Sequence, residues 1–192
     1  MNDYYEKNAQ SYFHSTVNVD PASFLSPLVN LLCQDSTILD IGCGSGRDLL
    51  WLKDKGFCPT GLENSSALAQ LAQENSICHV IKADFLSYDF SQVQYDALIV
   101  IGALVHLERE QILNVLKSFL EALVNGGYIL LTSKEGQGKN VSSDGRIFTL
   151  WRQSELEDIF KQLNLKILDC RRQISKIRAT DVWLGHLMQK NE

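Results

Sequence analysis

The 192-residue chain predicts one α/β domain: a Rossmann-like, seven-stranded, mostly parallel sheet with helices on both faces and an antiparallel last strand. Three observations carry this. From Thr37 onward, short apolar strands alternate with amphipathic helical stretches. A glycine-rich turn, "DIGCGSG" (Asp40–Gly46), joins the first strand to the next helix and lets backbone approach a ligand closely. The run "ALIVI" within "YDALIVIG" is apolar at consecutive positions, as in a strand covered on both faces.

Residues 1–34 read as an N-terminal helical segment. Tyr5, Ala9, Tyr12 and Phe13 share one helix face, and Pro21 opens a second stretch with Phe24, Leu25, Leu28, Val29 and Leu32 as its apolar side. Residues 35–192 form the core. "TILDI" is the first strand, and "RDLLWLKDKG" is a helix closed by Gly56. "PTGLE" is the second strand, "SSALAQLAQEN" a helix capped by Ser65 or Ser66, and "HVIKAD" the third strand. "YDALIVIG" is the fourth. "EREQILNVLKSFLEAL" is an amphipathic helix, "NGG" a turn and "YILLTS" the fifth strand. Residues 134–146 ("KEGQGKNVSSDGR") read as a polar functional loop. Ser154 and Glu157 form a capping box for the next helix. "LKILDC" and "DVWLGHLM" close the chain as an antiparallel hairpin joined by about ten residues.

Composition narrows the function classes. Apolar residues make up 45%, charged residues 21%, and the net charge is −5, so the general basic surface that tracks nucleic acid is absent. No apolar run reaches the length of a spanning helix, and the N-terminus lacks the apolar core of a secretory signal. The five cysteines lack the short spacings of a zinc knuckle or redox dithiol, and they read as reduced thiols of a cytoplasmic protein. No metal is expected.

The glycine turn admits more than one ligand. A dinucleotide site wants Gly-x-Gly-x-x-Gly, but the glycines here are 42, 44 and 46, and Arg47 stands where the last would be. A phosphate loop would need Gly-Lys-Ser/Thr, which is missing. "DIGCGSG" resembles the first motif of the class I S-adenosylmethionine-dependent methyltransferases. The resemblance runs from Thr37 to Met188. "GLENSS" resembles the second-strand motif ending in Glu63, "KADFLS" the third with Asp84, "YDALIVIGALVHL" the fourth strand with its post-motif, and "LVNGGYILLTS" the fifth. The stretch "SKEGQG…DGRIFTLW" resembles small bacterial methyltransferases of the tellurite-resistance and small-molecule group.

That resemblance implies S-adenosyl-L-methionine as cofactor and S-adenosyl-L-homocysteine as product. It implies cofactor contacts from Asp40, Gly42, Cys43, Gly44, Gly46, Arg47, Glu63, Asn64, Ala83, Asp84, Phe85, Gly102 and Tyr12. Asp40 would attract the ammonium, Glu63 would accept the ribose hydroxyls, and Asp84 with the Phe85 backbone would serve the adenine. Asp40, Glu63 and Asp84 also suit turns and caps, and Arg47 suits either a ligand carboxylate or a solvated face. The first helix would fold over the cofactor as a lid. His106 is the candidate base. Tyr5, His14, Lys134, Arg146, Arg171 and Arg178 are candidate acceptor contacts, and the basic stretch "RRQISKIR" suits an anionic acceptor.

The expected activity is methyl transfer by in-line displacement to a small-molecule acceptor, by a monomer or homodimer. Methylation of RNA or protein, and a non-catalytic cofactor-binding module, are the alternatives. The fourth strand ends "IGALVHL", without the Asp/Asn-Pro-Pro-aromatic or Pro-Cys pattern of base-methylating DNA enzymes.

Overall fold

A computed structural model describes residues 2–191, with side chains from Tyr4 to Asn191. The elements are α1 (Asn2–Lys7), α2 (Ala9–Thr16), α3 (Ala22–Val29), β1 (Ile38–Ile41), α4 (Arg47–Asp54), β2 (Thr60–Glu63), α5 (Ser66–Ser76), β3 (Val80–Lys82), β4 (Tyr95–Ile101), α6 (Arg109–Glu121), β5 (Leu123–Glu135), β6 (Lys139–Val141), β7 (Ile147–Trp151), α7 (Gln153–Gln162), β8 (Leu165–Ile174) and β9 (Val182–Lys190). No helix among the described residues is long and apolar enough to cross a membrane.

The parallel strands run in the order β3-β2-β1-β4-β5. β9 joins β5 antiparallel, and β8 joins β9 antiparallel. The order reverses between β1 and β4, and ligands of open α/β sheets bind at such switch points. The apolar run in β4 is explained by burial on both faces. Leu98 and Val100 pack with α6 and α7, while Ala97 and Ile99 pack with α3 and Leu52 of α4.

Seven strands make the expected sheet, but the described residues contain nine. The expected loop 134–146 is a correction. β5 continues to Glu135, and β6 and β7 form an antiparallel hairpin around residues 142–146. Lys134 pairs with Leu150 of β7 and with Trp183 of β9. The last β4–β5 pair is Ile101 with Thr132, so β7 takes the side of β5 that β4 has vacated. The hairpin thereby stands over the carboxyl ends of the strands. Its first strand escaped notice because Lys139, Asn140 and Val141 are all exposed and show no alternation.

Smaller corrections have local causes. The first helical stretch breaks at Asn8, whose side-chain amide donates to the Tyr4 carbonyl (2.9 Å). "NGG" lies inside β5 as an irregularity where the β4–β5 register shifts. α7 begins one residue before the expected cap Ser154: Glu155 Oε2 accepts the Arg152 N–H (2.8 Å), and Glu157 is left on the helix. Ser65 caps α5, its Oγ accepting the Leu68 N–H (3.1 Å).

Candidate active site

Two adjoining cavities open at the switch point, of about 390 and 370 Å3. They share Tyr5, Tyr12, Gly42, Gly44, Ile101 and Gly102. The larger runs along the ends of β2 and β3 and is lined by Glu63, Asn64, Asp84, Phe85 and His106. The smaller lies toward β5, β7 and the 175–181 connection, and its walls include Lys134, Asp144, Arg146, Phe148, Asp181 and Trp183.

The glycine turn builds the common wall. Gly42, Gly44 and Gly46 all have positive φ. A Cβ on Gly44 would lie 3.3 Å from Cε1 of Tyr12, so the Tyr12 ring rests against the turn. Gly46 does something else. It lines neither cavity, and a Cβ there would lie 2.7 Å from the Ala72 carbonyl oxygen. Its role is the close approach of α4 to α5.

Glu63 is buried at the end of β2, with Oε2 accepting the Gly44 N–H (3.0 Å) and Oε1 the Ser65 N–H (2.8 Å). Burial pushes its pKa up, and those amide bonds oppose the shift. Asp40 is fully buried behind the turn, and its Oδ2 has no hydrogen-bond partner. Burial, reinforced by the nearby Asp48 carboxylate, raises its pKa well above the usual range. Arg47 forms a two-pronged pair with Asp48, Nε to Oδ1 at 2.8 Å and Nη2 to Oδ2 at 2.9 Å. Asp84 Oδ1 accepts the Leu86 N–H (2.9 Å), so the same residue that lines the larger cavity also shapes the turn.

α1 and α2 hold the two tyrosines across both cavities. Glu6 ties them down, its Oε2 accepting the Ser65 hydroxyl (2.7 Å) at the N-terminus of α5. Tyr5 Oη lies 2.6 Å from His106 Nε2, and His106 Nδ1 lies 2.6 Å from the Ile147 carbonyl oxygen of β7. A carbonyl only accepts, so Nδ1 carries the proton and Nε2 presents its lone pair to the Tyr5 hydroxyl. Burial lowers the His106 pKa and raises that of Tyr5.

The smaller cavity is charged but internally paired. Lys134 is buried, bonded to Asp181 Oδ2 (2.5 Å) and 3.7 Å above the Phe148 ring. Arg146 (2.7 Å) and Arg178 (3.3 Å) converge on Asp144 Oδ2, and the hydrogen bonds from Arg146, helped by the Ser142 hydroxyl, hold the Asp144 carboxyl well below the usual range.

Of the expected site residues, Gly42, Gly44, Glu63, Asn64, Asp84, Phe85, Gly102, His106, Tyr5 and Tyr12 line the larger cavity. Cys43, Arg47, Lys134, Arg146 and Arg178 line the smaller. Asp40, Gly46 and Ala83 line neither. Two expected acceptor contacts lie elsewhere. His14 is exposed beside Phe13 on α2, and Arg171 lies in β8, bonded to Asp169 and to the Ser23 carbonyl of α3. Asp144, Phe148, Asp181 and Trp183 were missed. The first two sit in the misread hairpin, and the last two come from the far end of the sequence, where no local signal links them to the turn.

Comparison with known proteins turns up methyltransferases. The fold is the Rossmann-like fold of solved S-adenosylmethionine-dependent methyltransferases. Residues 38–127 match the family model described as a methyltransferase domain. The probable S-adenosyl-L-methionine-dependent methyltransferase TehB of Haemophilus influenzae is 27% identical over 187 residues, 93% of this chain and 60% of TehB. The chain thus spans 60% of the length of that relative. The probable tRNA methyltransferase 9B of Bos taurus is 31% identical over 68% of this chain and 28% of its own. Among solved structures, the Burkholderia thailandensis 1,6-didemethyltoxoflavin-N1-methyltransferase, with bound 1,6-didemethyltoxoflavin and S-adenosylhomocysteine, superposes with a TM-score of 0.72 at 18% identity, covering 97% of this chain and 80% of that one.

Proposed function

We propose that the protein transfers a methyl group from S-adenosylmethionine to a small polar acceptor, with the donor in the larger cavity and the acceptor in the smaller. The observation that carries this is the shared wall. Tyr5, Tyr12 and Gly102 border both spaces, so a donor and an acceptor can meet without a macromolecular groove. The Burkholderia enzyme of the same fold acts on a small molecule. The match to tRNA methyltransferase 9B covers little of that protein, and the net charge of −5 gives no electrostatic basis for RNA binding.

The residues present fit the donor. Glu63 keeps a lone pair on each oxygen for the ribose hydroxyls beyond the two amide bonds it accepts. Asp40 Oδ2 is a buried, unpaired acceptor of the kind an ammonium satisfies through water. When bound, S-adenosylmethionine supplies an activated, electrophilic methyl group.

The chain supplies orientation, exclusion of water and a base. Tyr5 and Tyr12 cover the junction and turn aromatic rings toward it. His106 Nε2 accepts the Tyr5 proton, so a proton leaving the acceptor can pass to Tyr5 as Tyr5 gives its own to His106. In the smaller cavity, four cations (Arg47, Lys134, Arg146, Arg178) face three carboxylates (Asp48, Asp144, Asp181). The excess cation favours an acceptor carrying an anionic group.

The test is transfer of labelled methyl from S-adenosylmethionine into a cell extract separated into small molecules, RNA and protein. The proposal expects label in the small-molecule fraction. Label confined to RNA or protein overturns it.

A further inference from the structure

Three donor side chains meet away from both cavities: Glu157 of α7, Cys170 of β8 and His186 of β9. Cys170 and His186 face each other directly across the β8–β9 ladder. α7 lies over them, with Leu156 and Phe160 in the core and the Phe160 ring edge-on to His186 at 5.1 Å. Each of the three residues offers one ligand atom, and these atoms lie within 4.8 Å of one another.

His186 is the unexplained member. It is fully buried, yet neither Nδ1 nor Nε2 has a hydrogen-bond partner. An imidazole carries an N–H and a lone pair, and folded proteins rarely leave such groups unmet inside. Nothing in the methyl-transfer chemistry uses this residue. A metal ion would satisfy its lone pair.

We infer that Glu157, Cys170 and His186 form a zinc site that ties α7 to the terminal hairpin. The donor set is one thiolate, one imidazole and one carboxylate, which suits zinc and not calcium or magnesium, whose ligands are oxygens. Zinc–ligand bonds of about 2.0–2.3 Å put tetrahedral ligands roughly 3.3–3.8 Å apart. The present spread closes to that range with side-chain movement on the order of 1 Å. Cys170 and Glu157 are half-buried, which leaves an approach from solvent and a fourth position for water. Binding replaces the Cys170 thiol proton, which leaves to solvent, while His186 binds as the neutral imidazole that burial favours.

The experiment strips the full chain with a chelator and titrates it with zinc alone in competition with a chromophoric chelator. Cobalt(II) serves as a second probe, because thiolate bound to cobalt absorbs in the near ultraviolet. The inference expects one zinc per chain, a thiolate–cobalt band and a raised Tm with zinc. Cys170→Ser should abolish the band, and Cys170→Ser and Glu157→Gln should each weaken zinc by at least about tenfold. Both positions are half-buried, so these variants avoid the folding risk of replacing His186. The double variant Cys33→Ser/Cys58→Ser removes the exposed thiols and should bind as the wild type does. No zinc at micromolar concentration, binding untouched by Cys170→Ser and Glu157→Gln, or binding lost with the exposed thiols would each overturn the inference.

Discussion

The Tyr5 hydroxyl donates to His106 Nε2 at 2.6 Å, and the direction of that bond is fixed from the other side of the ring, where Nδ1–H is held by the Ile147 carbonyl. The pair joins the N-terminal helices to the hairpin, so the base is assembled from three distant segments. His106→Asn should lower kcat by about 10²–10⁴-fold for a hydroxyl or thiol acceptor, with S-adenosylhomocysteine affinity little changed. Steady-state kinetics alongside calorimetry separate the two effects.

The same pair sets a pH dependence. His106 acts in its neutral form, and burial lowers its pKa below the ordinary 6.5. The neutral base therefore persists to lower pH than a free histidine would allow. The kcat profile should rise with pH and reach its plateau with an inflection below 6.5. An inflection at or above that value contradicts the burial argument.

Gly46 should behave as a packing residue. Gly46→Ala places a Cβ against the Ala72 backbone at a φ of 70°. The strain and the overlap together should cost about 2–4 kcal/mol of stability in urea unfolding. A loss under about 0.5 kcal/mol would show that α4 and α5 separate easily.

The buried Lys134 is paired with the half-buried Asp181 in the smaller cavity. Asp181→Asn leaves the ammonium buried against Phe148 without its counter-charge, and should destabilise the fold by about 3–5 kcal/mol. Lys134→Met, which removes the charge and keeps the stem, should cost less with Asp181→Asn present than alone. Thermal unfolding of the single and double variants checks this.

The two arginines expected at the acceptor now divide. Arg178 lines the smaller cavity, whereas Arg171 is bonded to Asp169 and Ser23. Arg178→Glu should raise the acceptor KM by at least about tenfold, while Arg171→Glu leaves it unchanged.

Much of this was legible in the sequence because the signals were local. The strand–turn–helix at Asp40–Gly46, the acidic end of the next strand at Glu63 and the apolar run of β4 each declare themselves within a few residues. Their burial also obeys a fixed pattern, so a mostly parallel sheet covered by helices on both faces could be anticipated. The smaller cavity was not legible. Its walls come from a hairpin whose first strand is exposed throughout and from a strand end reached only after the chain reverses. Asp181 could not be assigned to Lys134 without the fold, since a charge pair across 47 residues leaves no periodic trace. The basic stretch near the C-terminus divides: Arg171, Arg172, Lys176 and Arg178 each have a carboxylate partner, and of the four Arg178 lines the smaller cavity.

The central claim is that the larger cavity holds the methyl donor, with Glu63 on its ribose. Calorimetric titration with S-adenosylhomocysteine, comparing wild type with Glu63→Gln and Arg178→Ala, tests it most directly. The account predicts one site per chain, a loss of about 10–100-fold for Glu63→Gln, and wild-type affinity for Arg178→Ala, which lines the other cavity. Unchanged affinity in Glu63→Gln, with loss in Arg178→Ala, would contradict it.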